Sequence, residues 1–332
     1  MLRKFLALLV LALPLLFPVA LRAQTAESKL AALEKLPAAE RRQRLYEAAK
    51  TDGEAVIYAN MDVSAMKPLT DGFMKRYPGT KAASVHFSGA AIITRLDSEA
   101  RAGKPISDVV LSGQLGVLSL IDKKIALRYR SPERESFRDG LKDKDGLWTA
   151  YMTNVMVSAY NTRQVKKEEA PRSVEDLLKP RWKGKLTMDS QSYVWFGTML
   201  QYLGEEAGMR FMKRLNEQSI SHQRGRRLMT QLVAAGEFDM AVETNLNSVL
   251  SFSKQGAPLA FAPIQPFFLS PSLVFMSANA PRPYTGALFI DYLLSEDGQK
   301  IVVGTNRMPA HTKVKSPEGQ LLEGQDVRTP DI

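Results

Sequence analysis

Cysteine is absent from this 332-residue sequence, so the chain has no disulfide, no thiolate metal site and no cysteine nucleophile. The glycine-rich phosphate loop, the dinucleotide-binding glycine pattern and the paired histidines of zinc proteases are absent as well. Histidine is scarce: His86, His222 and His311 lie far apart in sequence, and we expect a packing or surface role for each. These absences predict a protein with no cofactor, no metal site and no catalytic function.

Long apolar runs are also missing, except at the start of the chain. Residues 5–21 form an apolar run that follows Arg3 and Lys4, is broken by two prolines and ends in small residues near Ala23. This layout is typical of a secretory signal peptide, and the prolines argue against the alternative, a membrane anchor. We therefore predict a signal peptide over residues 1–23 and a mature protein exported to the periplasm.

Acidic residues are outnumbered by basic ones, 35 to 45, which gives a formal net charge of +10. An excess of this size attracts anions or acidic surfaces. Nucleic acid is not an expected partner, since the basic residues are spread along the chain without regularly interleaved aromatic residues. The hydrophobic fraction of 45% and the charged fraction of 24% are typical of a globular protein with a substantial core.

A repeated pattern of strand, small polar loop and helix organises the first part of the sequence. The pattern predicts buried strands at 55–59, 82–87 and 108–111, each followed by polar residues and then by an amphipathic helix. Such units build a parallel α/β sheet whose loops all open at one edge. Residues 148–160 instead form one long extended segment, which we predict to cross from one lobe to another.

The second set of elements begins with the stretch 171–189. It predicts a short helix over 174–178 that is stopped by Pro180, then a strand over 186–188 and the polar residues 189–192. A strand that ends in small polar residues at a helix start is well placed to hold a ligand. An ordinary connection between a helix and a strand has the same sequence features, so both interpretations stay open.

Further helices and strands follow in the same style, including a strand over 273–276 after the proline-rich stretch 263–271. The apolar periodicity and the glycines that interrupt it predict helices over 193–203, 205–216 and 226–235, and a strand over 238–242. The tail after Val314 is polar, and we predict that it is loose. The whole pattern predicts an α/β protein with two sets of strand–loop–helix units.

Four stretches, in this order, resemble one known family. They are GEAVIYAN, SVEDLLKPRWKGKLTMD, AAGEFDMAVETNLNSVLSFSKQGAPLAFAP, and NAPRPYTGALFIDYLLSEDGQKIV with the following NRMPAH. The ordered set resembles the bacterial extracellular solute-binding proteins of ABC importers, in the type II group that includes iron(III), polyamine, thiamine and phosphonate binders. The resemblance covers nearly all of the mature chain.

The resemblance implies a type II periplasmic-binding-protein fold, with two α/β lobes joined by crossover strands and a ligand cleft between them. We expect lobe 1 to comprise residues 24–152 plus about 268–305, and lobe 2 to comprise 153–267 plus about 306–332. The partners that the resemblance implies are a small-molecule solute and a membrane permease, and we expect the protein to be a monomer. A sensor role, in which the closed form engages a membrane receptor instead, stays open.

In such a fold the solute contacts the loops at the strand ends and the first turns of the following helices. The candidate ligand-binding residues that meet this condition are Asn60, Asp62, Ser88, Gly89, Ala90, Ser112, Gln114, Tyr151, Ser190, Gln191, Ser192, Arg226, Glu243, Asn245 and Asn247. Backbone N–H groups at several helix starts favour an anionic group, and Arg226 with its neighbours Arg224 and Arg227 could clamp it. A surface helix start is the alternative interpretation of these arginines.

The class of solute is open at this stage. Iron-binding members of the family carry two adjacent tyrosines in the helix that here begins at 246, and residues 246–250 contain none. A polyamine or a thiamine-like cation needs carboxylates and aromatic walls, which Asp62, Asp189 and Glu243 could supply together with Tyr151 and Trp195. We predict a small anionic solute.

An exported hydrolytic enzyme on a similar α/β scaffold is the alternative from a different class. It needs a nucleophile beside a base, and the sequence offers only His86 and Ser88 in this role. Residues two apart in a strand point to the same side, so these two side chains could meet. Ser88 lacks the flanking glycines of a nucleophile elbow.

Overall fold

The computed structural model describes residues 25–329, apart from the side chains of residues 115, 116 and 118. The predicted signal peptide, residues 1–23, lies outside the described residues. Within them, no helix combines the length and the apolar character that a membrane span requires.

The described residues form twelve strands and twelve α-helices. The strands are β1 Glu54–Ala59, β2 Lys81–His86, β3 Val109–Gly113, β4 Ala126–Leu127, β5 Thr149–Asn161, β6 Leu186–Asp189, β7 Ser221–Gln223, β8 Met240–Asn245, β9 Leu259–Phe261, β10 Phe267–Ser277, β11 Met308–Pro309 and β12 Val327–Arg328. The helices are α1 Ala26–Glu34, α2 Ala38–Asp52, α3 Val63–Arg76, α4 Gly89–Ala102, α5 Gln114–Asp122, α6 Tyr193–Leu203, α7 Glu205–Asn216, α8 Arg226–Ala235, α9 Leu246–Lys254, α10 Pro283–Leu294, α11 Glu296–Gly304 and α12 Pro317–Leu321.

The main path of the sheet has the strand order β2-β1-β3-β10-β5-β8-β6-β7. Strands β2, β1 and β3 are parallel to one another, and so are β8, β6 and β7. We call the half that holds the first trio lobe 1 and the half that holds the second trio lobe 2. The long strands β5 and β10 pair with each other. β10 also pairs with β3 of lobe 1, and β5 also pairs with β8 of lobe 2, so the two strands join the lobes.

Strand directions place the carboxyl edges of the two lobes opposite each other. β3 and β5 are both antiparallel to β10, and β8 is antiparallel to β5, so β3 and β8 run in opposite directions. β3 ends at Gly113, opposite Ser272 and thus level with Met152, whereas β8 ends at Asn245, level with Met156. Four residues of strand separate the two levels, about 13 Å along β5. We call this gap the cleft.

Both ends of that gap are marked by irregular pairing. Next to lobe 1, Ala150 pairs with Leu273 and Met152 with Ser272, which leaves Tyr151 as an extra residue in β5. Next to lobe 2, the pairing of β5 with β8 shifts again, with the extra residue in β8. Bulges of this kind bend a strand and change the direction of its side chains. They therefore allow two flat sheets to meet at an angle along shared strands.

Each lobe has its own hydrophobic core. In lobe 1, α3 and α10 pack through Phe73 and Phe289, whose ring centroids lie 5.4 Å apart. In lobe 2, one face of the sheet buries Trp182 and Met199, and the other face buries Val233 with its neighbours. The crossing strands β5 and β10 and the segment around β11 connect the two lobes.

The structure corrects several details of the predicted elements. The helix predicted over 174–178 is a 3₁₀-helix at Glu175–Leu178, and the strand predicted over 238–242 lies at Met240–Asn245. The prediction of a loose tail is wrong: the hydroxyl of Ser316 caps α12, and β12 pairs in parallel with β10. β10 also extends through Pro271, which β10 tolerates because this residue lies between the segments that pair with β12 and with β3.

Candidate functional site

The carboxyl edge of lobe 1 brings together loops that are far apart in sequence. Ala59 pairs with His86 on one side and with Leu111 on the other, so the chain leaves all three strands at the same level. The starts of α3, α4 and α5 follow directly. Asn60, Ser88 and Ser112 therefore lie along one edge of the sheet.

Buried polar atoms without partners are concentrated at this edge and along β5. Within the described residues, seven buried side-chain polar atoms lack a hydrogen bond, and four of them lie here: Ser112 Oγ, Gln114 Oε1, Tyr151 Oη and Thr153 Oγ1. A fifth, Asn247 Oδ1, lies across the cleft at the start of α9. Native proteins leave few buried polar groups unsatisfied, so such a concentration indicates a site where another group completes the bonds.

Tyr151 is the largest of these residues, with 0% of its surface exposed. Its hydroxyl has the Ser272 side chain beside it but forms no hydrogen bond of standard geometry. Burial raises the pKa of the Tyr151 phenol, and the positive charge of Arg307 opposes this shift only in part. The phenol is therefore neutral at physiological pH and is available as a donor.

Arg307 lies where the chain crosses back between the lobes, directly before β11, which pairs with β5 at Met152 and Thr153. Its side chain is half-buried and donates from Nη1 to the carbonyl of Thr305 at 3.0 Å. No carboxylate in the described part of the chain forms an ion pair with it. We call Ser112, Gln114, Tyr151, Ser272 and Arg307 the polar cluster.

The carboxyl edge of lobe 2 is arranged differently, because its acidic groups are bound internally. Glu243 is 0% exposed; it accepts a hydrogen bond from Ser192 Oγ at 2.8 Å and from Arg226 Nε at 2.7 Å. Burial acts most strongly and lowers the pKa of Arg226, but the charge of Glu243, its hydrogen bond and the charge of Asp189 together outweigh burial, so the pKa is raised. This arginine is thus fixed by a buried carboxylate, with part of its guanidinium left at the surface.

Asp189 is used in the same internal way. Its side chain accepts the backbone N–H groups of Gln191 at 3.1 Å and of Gly225 at 3.3 Å. It therefore supplies negative charge at the starts of α6 and α8, where helix dipoles favour it. Asp189 and Glu243 hold lobe 2 together and are not arranged as open ligands for a cation.

The remaining candidates lie around the rim of the cleft. Six of them are exposed at the edges of the two lobes: Asn60, Asp62, Ser88, Ala90, Ser190 and Gln191. Three others are half-buried: Gly89, Asn245 and Asn247. The Nδ2 atom of Asn247 donates to the carbonyl of Asn306 at 3.3 Å, so this residue links the start of α9 to the chain segment before Arg307.

Helix starts at the cleft differ in whether a side chain caps them. The hydroxyl of Ser88 accepts the N–H of Ala91 and caps α4. α5, α6, α8 and α9 begin without any side-chain cap, at Gly113, Ser192, Gly225 and Asn245 respectively. Free N–H groups at a helix start, together with the helix dipole, form an anion-binding site. Of these four, α5 and α9 follow the strands nearest to the crossing strands, and so lie nearest to the polar cluster.

The residues considered for a hydrolytic or a cation-binding site make other contacts in the structure. His86 Nδ1 lies 3.0 Å from the carbonyl of Met61, and no hydrogen bond joins His86 to Ser88. Trp195 is buried against Phe211 in the core of lobe 2 instead of forming a cleft wall. Nowhere in residues 25–329 do three or more acidic or histidine side chains form a group that could hold a metal ion.

Sequence reasoning missed Arg307 and Ser272. Ser272 stands directly before the strand predicted over 273–276, and the sequence around Arg307 contributed only to the family resemblance. A signal was present in the second case: NRMPAH follows the last long helix pair of a chain that must cross between lobes again. An arginine at such a crossing is a candidate for the cleft.

The fold and the cleft define a two-lobed binding protein of the type II periplasmic class. The family model described as "Bacterial extracellular solute-binding protein" matches residues 105–331. The chain belongs to this family. Its members are solute-binding proteins rather than enzymes; those of ABC transporters bind small solutes and deliver them to membrane permeases.

The individual relatives share low sequence identity with this chain. An Fe(3+)-binding periplasmic protein of Serratia marcescens is 24% identical over 280 residues, which are 78% of this chain and 79% of the relative. Iron-bound HitA from Pseudomonas aeruginosa superposes with a TM-score of 0.71 at 16% identity, covering 80% of this chain and 88% of that one. AfuA from Actinobacillus pleuropneumoniae, solved with exogenous fructose-6-phosphate, gives a TM-score of 0.68 at 22% identity, with coverages of 80% and 87%.

Proposed function

We propose that the protein captures a small anionic solute in the cleft by closure of its two lobes. The carrying observation is the polar cluster, where buried atoms without partners lie near an unpaired arginine. The uncapped starts of α5 and α9 approach it from opposite sides of the cleft. An anion entering there accepts hydrogen bonds from the backbone, from Tyr151 and from Arg307.

Export and delivery complete the proposal. The signal peptide over residues 1–23 directs the chain to the periplasm, where the closed form docks as a monomer on a permease. Lobe 1 comprises residues 24–152 plus about 268–305, and lobe 2 comprises 153–267 plus about 306–332. Support for these bounds comes from β5 and β10, which contribute residues to the cores of both lobes. The solute is bound and released without chemical change.

The names of relatives favour a second candidate, iron(III). The Serratia relative and HitA are described as iron binders, whereas AfuA was solved with a phosphorylated sugar, so one fold serves both classes of solute. A hard trivalent cation requires anionic oxygen ligands. Here the acidic groups of lobe 2 are bound internally, and the first turns of α9 contain no tyrosine. The polar cluster therefore favours the anion.

A thermal-shift screen of the mature protein tests the proposal. The panel holds phosphate monoesters, phosphonates, carboxylates, polyamines, thiamine and iron(III). A solute present at 100 times its dissociation constant stabilises the protein by about 2.7 kcal/mol, which raises the melting temperature visibly. We expect shifts from anions, and we expect Arg307→Ala to weaken binding at least about tenfold and to reduce its salt dependence.

Two kinds of control define what contradicts the proposal. Arg210→Ala removes an exposed arginine from the outer face of α7 and should leave affinity unchanged. Ser190→Trp and Asn245→Trp should obstruct the cleft and abolish binding while the empty protein melts as before. A shift caused by iron(III) alone, or unaltered affinity in both tryptophan variants, would refute the anion site.

A further inference from the structure

Lobe 2 has a largely apolar pocket between strands β6 and β7 and helices α6 and α7, with a volume of about 280 Å³. Its floor is formed by Met188, Met212, Leu215 and Ile220. Asp189, Ser190 and Ser192 of the polar loop line it as well, as do Asn216 and His222. Because that loop also forms the edge of the cleft, the pocket adjoins the edge that faces lobe 1.

Two aromatic side chains of α6 form the wall of this pocket, and both are exposed. Tyr193 is 63% exposed and Phe196 is 37% exposed. They are the only aromatic residues among the large hydrophobic side chains exposed in residues 25–329. Residues three apart on a helix share a face, so the two rings present one apolar surface. A contiguous exposed apolar surface of this kind is typical of a binding site.

The volume limits what this pocket holds. A cavity of about 150 Å³ accommodates a benzene molecule, so 280 Å³ accepts one substituted ring or a branched aliphatic group of similar size. A long acyl chain does not fit. The strands that line the pocket, β6 and β7, lie one and two strand spacings from β8, which is about 5–10 Å.

We infer that this pocket is an apolar subsite of the cleft, and that the solute is an amphipathic anion. The solute joins one anionic group to an aromatic ring, or to a branched aliphatic group of that size, through a short linker. The inference rests on the proposed function for the anionic end, which the start of α9 holds on the lobe 2 side of the cleft. The apolar end enters the pocket and covers Tyr193 and Phe196, which closure of lobe 1 then shields from water.

Matched pairs of solutes test the inference by titration calorimetry. One pair is propanoate and 3-phenylpropanoate, and the other is ethyl phosphate and 2-phenylethyl phosphate; 2-phenylethanol is the uncharged member. In the wild-type protein we expect each phenyl anion to bind at least about tenfold more tightly than its partner, since a buried ring contributes more than one methylene group. In Phe196→Ala and in Tyr193→Ser this gain should fall below about threefold, with the small anions unaffected.

Met209→Ala is the control, because Met209 is an exposed apolar residue of α7 that lies outside the pocket. Melting temperatures of the empty variants verify that each one is folded. A phenyl gain that persists in both pocket variants, or no gain in the wild type, overturns the inference and leaves the anion proposal standing. Binding of 2-phenylethanol that depends on Phe196, without binding of any anion, supports the pocket and refutes the anionic end. No binding of any of the five compounds overturns both.

Discussion

The two edges of the cleft differ in how their polar groups are satisfied. At the edge of lobe 2, the carboxylate of Glu243 accepts hydrogen bonds from Arg226 and Ser192. Asp189 accepts two backbone N–H groups. At the edge of lobe 1, Ser112 and Gln114 keep buried atoms without partners. The charged groups at the edge of lobe 2 are therefore satisfied without a solute, whereas the edge of lobe 1 and the crossing strands keep unsatisfied polar atoms.

This difference separates residues that stabilise the protein from residues that bind. A buried group with an internal partner contributes to folding and leaves little for a solute. A buried group with no partner lowers the stability of the empty protein, and a solute that bonds to it recovers that loss as affinity. The same kinds of side chain thus have opposite roles at the two edges.

Breaking the ion pair in lobe 2 should produce the largest effect. Arg226→Met leaves the carboxylate of Glu243, which is 0% exposed, without its charged partner. Removal of one member of a buried pair destabilises proteins by about 3–5 kcal/mol, and we expect a loss near 3 kcal/mol here because part of Arg226 reaches solvent. The midpoint of urea unfolding measures the loss.

The neighbouring arginine provides the matched control. Arg227 is exposed and stacks on the ring of Phe252 at 4.9 Å, so Arg227→Met should cost only about 0.5–1 kcal/mol. Equal destabilisation by the two variants would show that the contact with Glu243 has no special weight. The edge of lobe 2 would then not be the self-contained structure described above.

Removing a hydroxyl from the polar cluster should have the opposite sign on stability. Tyr151→Phe deletes a buried group without a partner, so the empty protein should unfold at an equal or higher temperature, with a gain of up to about 1 kcal/mol. Affinity for the anionic solute should fall about tenfold, because the donor is lost. Thermal unfolding and calorimetric titration of the same variant measure both effects.

Tyr58→Phe tests whether the location of the hydroxyl decides the outcome. The hydroxyl of Tyr58 donates to the carboxylate of Glu99 at 2.5 Å, inside lobe 1. Its removal should lower stability by about 1–3 kcal/mol and leave affinity unchanged. If Tyr151→Phe destabilised the empty protein as much as Tyr58→Phe, Tyr151 would be an ordinary structural residue.

The sequence predicted regular elements well wherever glycines mark their ends. The helices predicted over 193–203, 205–216 and 226–235 have these bounds in the structure. Gly204, Gly225 and Gly236 stand at their ends with positive φ angles of 83°, 105° and 90°. Other residues rarely adopt such backbone conformations, so the glycines made these helix ends predictable from the sequence.

Contacts between residues that are far apart in sequence could not be predicted in this way. Nothing local shows that Glu243 contacts Arg226 instead of a solute, since the contact depends on how β8 and α8 pack. The same holds for Tyr151, because its direction is set by a bulge that arises where β5 changes partners. Candidate residues could therefore be located at the edges of the lobes from the sequence, but their division into structural and binding groups required the fold.

A third region, around the buried His311 that follows β11, should show a small effect of pH on stability. His311 is 3% exposed, packs edge-on against Phe137, and accepts the N–H of Lys313 at Nδ1 over 3.1 Å. Burial lowers its pKa, with Glu296 opposing and Lys313 assisting the shift. The acceptor role of Nδ1 requires that this nitrogen is unprotonated, so the contact exists only while the imidazole is neutral.

The sign of the pH dependence follows from that shift. Above the ordinary histidine pKa, near 6.5, His311 is neutral in both states and its full contribution to stability is present. As the pH falls below this value the unfolded chain binds the proton first, so stability decreases, by at most about 1.4 kcal/mol per pH unit. Urea midpoints between pH 7.5 and 5 should therefore fall less in His311→Gln than in the wild type, because the amide that replaces the imidazole does not titrate. A slope in His311→Gln equal to that of the wild type would mean that His311 is not held neutral by its surroundings.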